Sequence, residues 1–195
     1  NFTVVWASLD PDEGNDGNVI LGQQFNSSGT PVGATEFRVD TSGFLANTER
    51  QRIAMADAGG FVVVWEKSDD DGAGVVAQRF SSGGARVGAT EFQVNTYTGD
   101  DQIDPDVAMD ADGDFVVVWA SNTQDGSFLG AFGQRFSSSG DKVESEFQIN
   151  LTTTGHQNSP AVALDVTGNL VATWQMDKPL EDYGTGIYGR YFPQE

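Results

Sequence analysis

The sequence contains no cysteine, one histidine, six prolines and only ten lysines and arginines in 195 residues. Without cysteine there is no disulfide framework, no thiol nucleophile and no cysteine-ligated metal. Ten scattered cations against 29 Asp and Glu leave a formal charge of -19. No large basic patch can form, which excludes nonspecific binding to DNA, RNA or an acidic membrane. The longest apolar stretches, such as Phe61 to Trp65, fall far short of the roughly 20 residues of a spanning helix. No secretory leader is recognisable, and the strand-like run two residues from Asn1 suggests a chain that continues upstream. What is present is the material of a core. Some 38% of the residues are hydrophobic and 11% aromatic, so the acidity does not signal disorder. The length suits one domain or a short array of repeats.

A repeat of about 55 residues dominates the chain. TVVW ending at Trp6 recurs as FVVVW ending at Trp65 and again at Trp119, and as LVATW ending at Trp174. Each is followed by a second marker: GQQF to Phe25, AQRF to Phe80, GQRF to Phe136, GRYF to Phe192. A third marker is EFRV, EFQV and EFQI from Glu36, Glu91 and Glu146. A fourth is an apolar run before a Gly turn, beginning at Arg52, Asp106 and Ala161. Rich in Val, Phe, Ile and Trp and separated by Gly, Asp, Asn and Ser, every marker reads as a short strand. In the order A (IAMA), B (FVVVW), C (VVAQRF) and D (EFQV), four antiparallel strands per unit make a propeller blade. The expected architecture is an all-β propeller with units near 1–50, 51–104, 105–159 and 160–195. The first unit lacks strand A and the last lacks strand D. Such a chain is a four-bladed ring, a segment of a larger propeller, or an open stacked array. Strand B, apolar throughout, is expected to be buried on both faces, with C less uniform and D nearer the rim. The unfinished ends predict association through open strand edges.

Length varies mainly in the loop between strands B and C, and variable loops on a rigid scaffold are where binding concentrates. Those loops are acidic and Gly-rich. Hard oxygen donors on such loops suit calcium, with Asp10, Asp12, Asp16, Asp69, Asp70 and Asp71 as the expected ligands. The competing reading is of solvated turns in which Asp-Gly is a turn formula. Tyr97, Phe128 and Tyr183 break the repeat pattern beside these acids, and with Asp101, Asp104 and Asp125 they form the candidate ligand site. The four Trp share one repeat position and are expected to pack, as is the recurring Gln-Arg pair. His156 reads as a surface-loop residue.

The pattern GQRF, SSSG, EFQVN, a TTTG-like stretch and P-x-VAMDADGDFVVVW, shown by Phe136 through Trp174 and by Gln78 through Trp119, resembles a tandem repeat of very large secreted bacterial proteins. These also carry cadherin-like or RTX-type calcium-binding regions. The resemblance spans essentially the whole chain and implies a secreted or cell-surface location and an adhesive or structural role. No GGxGxD nonapeptide is present, so it carries no calcium site across. The Gly turn leading to Trp also distantly resembles the Asp box of sialidase propellers, but the Ser-x-Asp-x-Gly spacing is missing. The leading expectation is thus a non-catalytic adhesive or assembly module. A carbohydrate-binding propeller follows, since acids beside aromatics suit sugar hydroxyls and ring faces. A glycoside hydrolase or lyase stands third, with Asp104, Asp101 and Asp125 as candidate carboxylates.

Overall fold

The structure is a computed structural model that describes residues 1–9, 18–41, 47–69, 71–177 and 184–194, without the side chains of residues 34 and 47–49. Four antiparallel sheets follow one another along the chain. The first holds β1 (Phe2–Leu9), β2 (Asn18–Phe25) and β3 (Pro31–Arg38). The second holds β4 (Asn47–Met55), β5 (Phe61–Ser68), β6 (Ala73–Phe80) and β7 (Arg86–Gln93). The third holds β8 (Gln102–Met109), β9 (Phe115–Asn122), β10 (Leu129–Phe136) and β11 (Lys142–Gln148). The fourth holds β12 (Gln157–Leu164), β13 (Leu170–Asp177) and β14 (Thr185–Phe192). These are the blades of a partial propeller, the two central ones complete. Strands β4, β8 and β12 are the inner strands, and each packs beside the next. Among the described residues no comparable packing joins the first blade to the fourth.

Local chemistry sets the hairpins. In the β8–β9 turn, Asp110 Oδ1 accepts the backbone N–H groups of Asp112 and Asp114, both at 3.0 Å. Gly113 there has φ 90°, a left-handed conformation that glycine adopts without a Cβ penalty. The repeated Asp-x-x-Gly is therefore a side-chain-closed turn. Each pair of C- and D-type strands contains a bulge, at Gly22/Gln24, Ala77/Arg79 and Gly133/Arg135. The glutamine at the bulge braces it. Gln78 Nε2 donates to the Arg79 and Val87 carbonyls at 2.9 and 3.1 Å, and Gln134 Nε2 to the Arg135 and Val143 carbonyls at 3.0 and 3.1 Å. The neighbouring arginine reaches the following blade, Arg79 to the carbonyls of Ser138 and Ser139 and Arg135 to that of Gly168.

Strand alternation explains why FVVVW is buried throughout. Phe61, Val63 and Trp65 face the first blade, where they meet Ile20 and Val39. Val62 and Val64 face the third, where they meet Val107, Val117 and Trp119. Val116 and Val118 in turn face Leu170, Ala172 and Trp174 of the fourth. Full burial of each such side chain contributes roughly 1.5–3 kcal/mol. Strands β6 and β10 are buried as completely as β5 and β9, contrary to the expected unevenness of strand C, because each blade has two central strands. The outer faces of the terminal blades are uncovered. Phe2 and Val4 are exposed on the first, and Val171, Ile187 and Tyr191 on the fourth.

A buried carboxamide ties the second blade to the third, and another ties the third to the fourth. Asn95, just past β7, accepts the Val75 N–H at 2.8 Å and donates to the Tyr97 carbonyl and to Gln102 Oε1, both at 2.7 Å. Gln102 opens β8 and returns its own amide to the carbonyls of Gly99 and Asp100. Asn150 and Gln157 repeat every one of these bonds one blade later, with Ala131, Thr152, Thr154 and Gly155 as partners. Asp40 occupies the position in the first blade, accepting the Ile20 N–H at 2.8 Å with its charge held by Arg38. Replacing Asn150 with Ala strands the buried Ala131 N–H and Gln157 Oε1, at an expected cost of about 2–4 kcal/mol. Urea unfolding measures this directly. Val166→Ala, at an exposed turn, is expected to change stability by less than about 0.5 kcal/mol in the same assay.

Candidate active site

The inner strands of the second and third blades bring opposite charges together. Arg50 and Arg52 lie on β4, and Asp104 and Asp106 on β8. Arg50 Nη1 is paired with Asp104, and Arg52 Nε lies 3.9 Å from Asp106. Asp106 also accepts the Val162 N–H from the fourth blade at 2.9 Å. Between Ile103 and Asp106 the β8 ladder is interrupted by a bulge, and Asp104 has φ 56°. A non-glycine residue in this left-handed region is held there by its surroundings. The bulge turns the Asp104 N–H toward Glu66 at the end of β5, which accepts it at 2.8 Å.

Glu66 is the unusual member of the group. It is 2% exposed, and Arg50 Nε stands 3.8 Å from its carboxyl. Burial pushes the Glu66 carboxyl up from 4.5 to about 7, Arg50 and Arg52 opposing and the Asp101 charge reinforcing the rise. A carboxyl group that keeps its proton near neutral pH can donate it, which is what a general acid does. The group therefore consists of a buried Glu66 whose carboxyl is pushed up to about 7, a second carboxylate at Asp104 and one guanidinium spanning both. Its route to solvent is through Arg50 and Asp104, whose side chains are 38% and 21% exposed.

Of the residues singled out in the sequence, Asp104 and Asp101 belong to this group. The Asp101 carboxylate additionally accepts the Ala73 N–H at 3.1 Å. Asp125 does something else: it closes its own turn by accepting the Ser127 N–H and braces the third blade through the Gln148 and Asn150 amides. Tyr97 folds over Gly99, with its hydroxyl 3.4 Å from Thr123. Phe128 is exposed and stacks on His156 with ring centroids 4.7 Å apart, so the histidine belongs to an aromatic pair. Asp69 accepts the Asp71 N–H in a local turn. Tyr183, Asp10, Asp12, Asp16 and Asp70 lie outside the described residues. Among the described residues no three Asp, Glu or His groups converge as a metal site. Trp65 and Trp119 are fully buried and pack between blades, as expected.

Two members of the group, Glu66 and Arg50, went unrecognised in the sequence. The signal for Glu66 was a charge at the end of the apolar FVVVW strand, where the other repeats carry Ala7, Ala120 and Gln175. The signal for Arg50 was two close arginines in a chain with ten cations.

No protein-family model matches the chain. No curated protein matches it either. Solved structures do. A protein of unknown function from Dyadobacter fermentans is similar over 97% of this chain and 50% of its own, at 12% identity and a TM-score of 0.66. An endo-arabinase from Bacteroides thetaiotaomicron is similar over 96% of this chain and 74% of its own, at 11% identity and a TM-score of 0.56. A thermostable family-43 glycoside hydrolase is similar over 97% and 70%, at 9% identity and a TM-score of 0.52. At such identities the likeness is one of fold, and the chain spans about half of the Dyadobacter protein.

These matches correct the resemblance to RTX- and cadherin-associated secreted repeats, and with it the expected non-catalytic role in adhesion or structure. The shared architecture is one that glycoside-cleaving enzymes build. The repeated markers themselves mislead for a physical reason. GQRF is a bulge brace, EFQVN ends in the carboxamide latch and FVVVW is the strand buried between blades. They report how blades stack, and stacking is indifferent to whether a module adheres or catalyses.

The pH dependence of folding tests the state of Glu66. The unfolded chain releases this proton near pH 4.5 and the folded chain near pH 7. Between those values the folded state binds more protons, so stability falls as the pH rises through that window. The full span is on the order of 3 kcal/mol. Glu66→Gln is expected to abolish this decline, gaining on the parent chain as pH increases from 4.5 to 7. Parallel stability curves for the two proteins would show that Glu66 titrates ordinarily.

Proposed function

We propose that this chain forms part of an extracellular glycan-cleaving propeller in which Glu66 and Asp104 carry out glycoside hydrolysis. The observation that carries the reading is the buried Glu66 carboxyl, pushed up by desolvation, beside Asp104 under a shared Arg50. Glycoside hydrolysis needs one carboxyl that is neutral at working pH and a second that is charged. Glu66 protonates the leaving glycosidic oxygen as its bond to the anomeric carbon breaks. Asp104 takes a proton from the water whose oxygen adds to the anomeric carbon, so the water supplies the new hydroxyl, the leaving oxygen keeps the proton from Glu66, and the proton passes back from Asp104 to Glu66 through solvent. Arg50 lies over Glu66 and swings aside as the sugar enters. The fold shared with an endo-arabinase makes arabinan the first substrate to try. The acidity of the chain suits a neutral polysaccharide better than an acidic one. Association through the open edges of the first and fourth blades belongs to the same reading.

The test is release of reducing ends from arabinan, with xylan alongside. Activity is expected to decline above about pH 7, where Glu66 loses its proton. Glu66→Gln and Asp104→Asn should each lower kcat by about a hundred- to ten-thousand-fold with the fold intact. Activity unaffected by either substitution, or no release from either polymer, would contradict the assignment.

A second reading, glycan binding without cleavage, is favoured by the exposed Phe128 stacked on His156. Exposed aromatic faces suit sugar rings. Under it, Phe128→Ala abolishes polysaccharide retention in an affinity gel, whereas Glu66→Gln leaves retention unchanged and no sugar is released.

A further inference from the structure

The inner strands of the third and fourth blades share one backbone design and differ in what they carry on it. In β8, Ile103 pairs with Ala120 and Asp106 with Val118, with a bulge between them. In β12, Asn158 pairs with Gln175 and Ala161 with Thr173 around the same bulge. Ser159 has φ 48° where Asp104 has φ 56°. The pairing therefore puts His156, Asn158 and Ser159 where the third blade has Asp101, Ile103 and Asp104. Both acids that β8 contributes beside Glu66 are replaced in β12, one by an imidazole and one by a hydroxyl. The two strands touch directly, since Asp106 accepts the Val162 N–H at 2.9 Å.

Each of the three replacements has a feature that blade stacking does not use. Ser159 is exposed, and the residue at the position of Glu66 in the adjoining third blade is Ala120, which offers its bulge no carboxylate. Asn158 Oδ1 is buried and has no hydrogen-bond partner among the described residues. An unpaired buried oxygen is costly, and the fold does not require an asparagine here, because Ile103 fills the same position in β8. His156 stacks on Phe128, whose ring is 59% exposed. From His156 to Ser159 is about 10 Å of strand. Gln157, in their midst, is bonded to Asn150 of the third blade, so this stretch lies at an interface both of whose blades are described, away from the uncovered outer face of the fourth. An aromatic face, an unpaired amide and an exposed hydroxyl in succession are the groups that recognise a neutral sugar, by its ring face and by its hydroxyls.

We propose that Phe128, His156, Asn158 and Ser159 form a holding subsite for a neutral sugar unit of the polymer whose glycosidic bond lies at Glu66 and Asp104. The proposal rests on the reading of the chain as a glycan-cleaving propeller and adds where the polymer is gripped. The Phe128 ring stacks on one sugar face. Asn158 turns its amide to a sugar hydroxyl, which ends the isolation of its oxygen, and Ser159 bonds a second hydroxyl. The two inner strands thereby divide the work: β8 carries acids that act on the bond, and β12 carries groups that bind sugar without adding charge beside Glu66.

The probe is linear arabinohexaose, with xylohexaose alongside, titrated calorimetrically into the full chain carrying Glu66→Gln so that nothing is cleaved. Saturable binding of one hexasaccharide is expected. Ser159→Ala and Phe128→Ala should each weaken it by at least about threefold. Asn158→Ile installs the residue of the third blade. It should weaken binding by a similar factor while the melting temperature holds or rises, because the isolated oxygen is gone; an asparagine kept for stability would lower the melting temperature when replaced. Weakened binding in these variants, with no sugar released by the parent chain, supports the subsite and contradicts the hydrolytic role of Glu66. Cleavage by the parent chain with affinity indifferent to all three substitutions overturns the subsite alone. No binding of either hexasaccharide at millimolar concentration, or an Asn158→Ile chain that melts lower and binds as before, also overturns it.

Discussion

The buried carboxamide that follows β7, and again β11, is the interaction on which the rest of the molecule depends. A blade is a sheet with two apolar faces, and it is stable only when neighbours cover both. Hydrophobic contact supplies that cover but is non-directional. Asn95 and Asn150 supply the direction: each joins the penultimate strand of one blade, the loop leaving it and the first residue of the next inner strand. With Gln102 fixed at the opening of β8, the backbone two residues later is held in the bulge that aims the Asp104 N–H at Glu66. The packing device and the chemical group are therefore consecutive along the chain.

Glu66 shows what this scaffold makes available. A carboxyl group at the end of a strand buried on both faces loses solvent and gains, among the described residues, the Arg50 and Arg52 charges and one backbone donor in return. Desolvation outweighs the attraction of the nearby arginines, so the neutral form persists toward neutral pH. Glu91 provides the contrast. Burial pushes it up too, but hydrogen bonds from Lys67 and Thr41 and the Lys67 charge bring its carboxyl below the usual range. It serves as a clasp between blades. Two glutamates on one blade thus differ in function because their compensation differs.

The repeat made the fold legible, because blade packing demands the same residues at the same places each time. Trp65 and Trp119, the Asp-x-x-Gly turns and the three-stranded terminal blades could all be read from spacing. The site was only half legible. Asp101 and Asp104 were visible as loop-face acids, but their companions Glu66 and Arg50 come from different strands, and the bulge beside them recurs at the same repeat position in the fourth blade, between Asn158 and Ala161, where it carries no such group. Asp125 looked equivalent to Asp104 and is a turn brace. The residues that repeat hold the blades together, and it was by those that the chain resembled secreted adhesive arrays. The residues that break the repeat, Glu66 where Ala or Gln stands elsewhere and Arg50 where Asp104 and Ser159 stand, carry the chemistry.

The central claim is that Glu66 holds a proton near neutral pH beside Asp104. Carbon-13 NMR of glutamate side-chain carboxyls, with the Glu66 signal assigned by its disappearance in Glu66→Gln, reads this directly. One resonance is expected to titrate with a midpoint near 7 and to move higher still in Arg50→Ala, where the opposing cation is lost. A Glu66 resonance that titrates at the ordinary carboxylate value near 4.5, or one unaffected by loss of Arg50, would contradict the account.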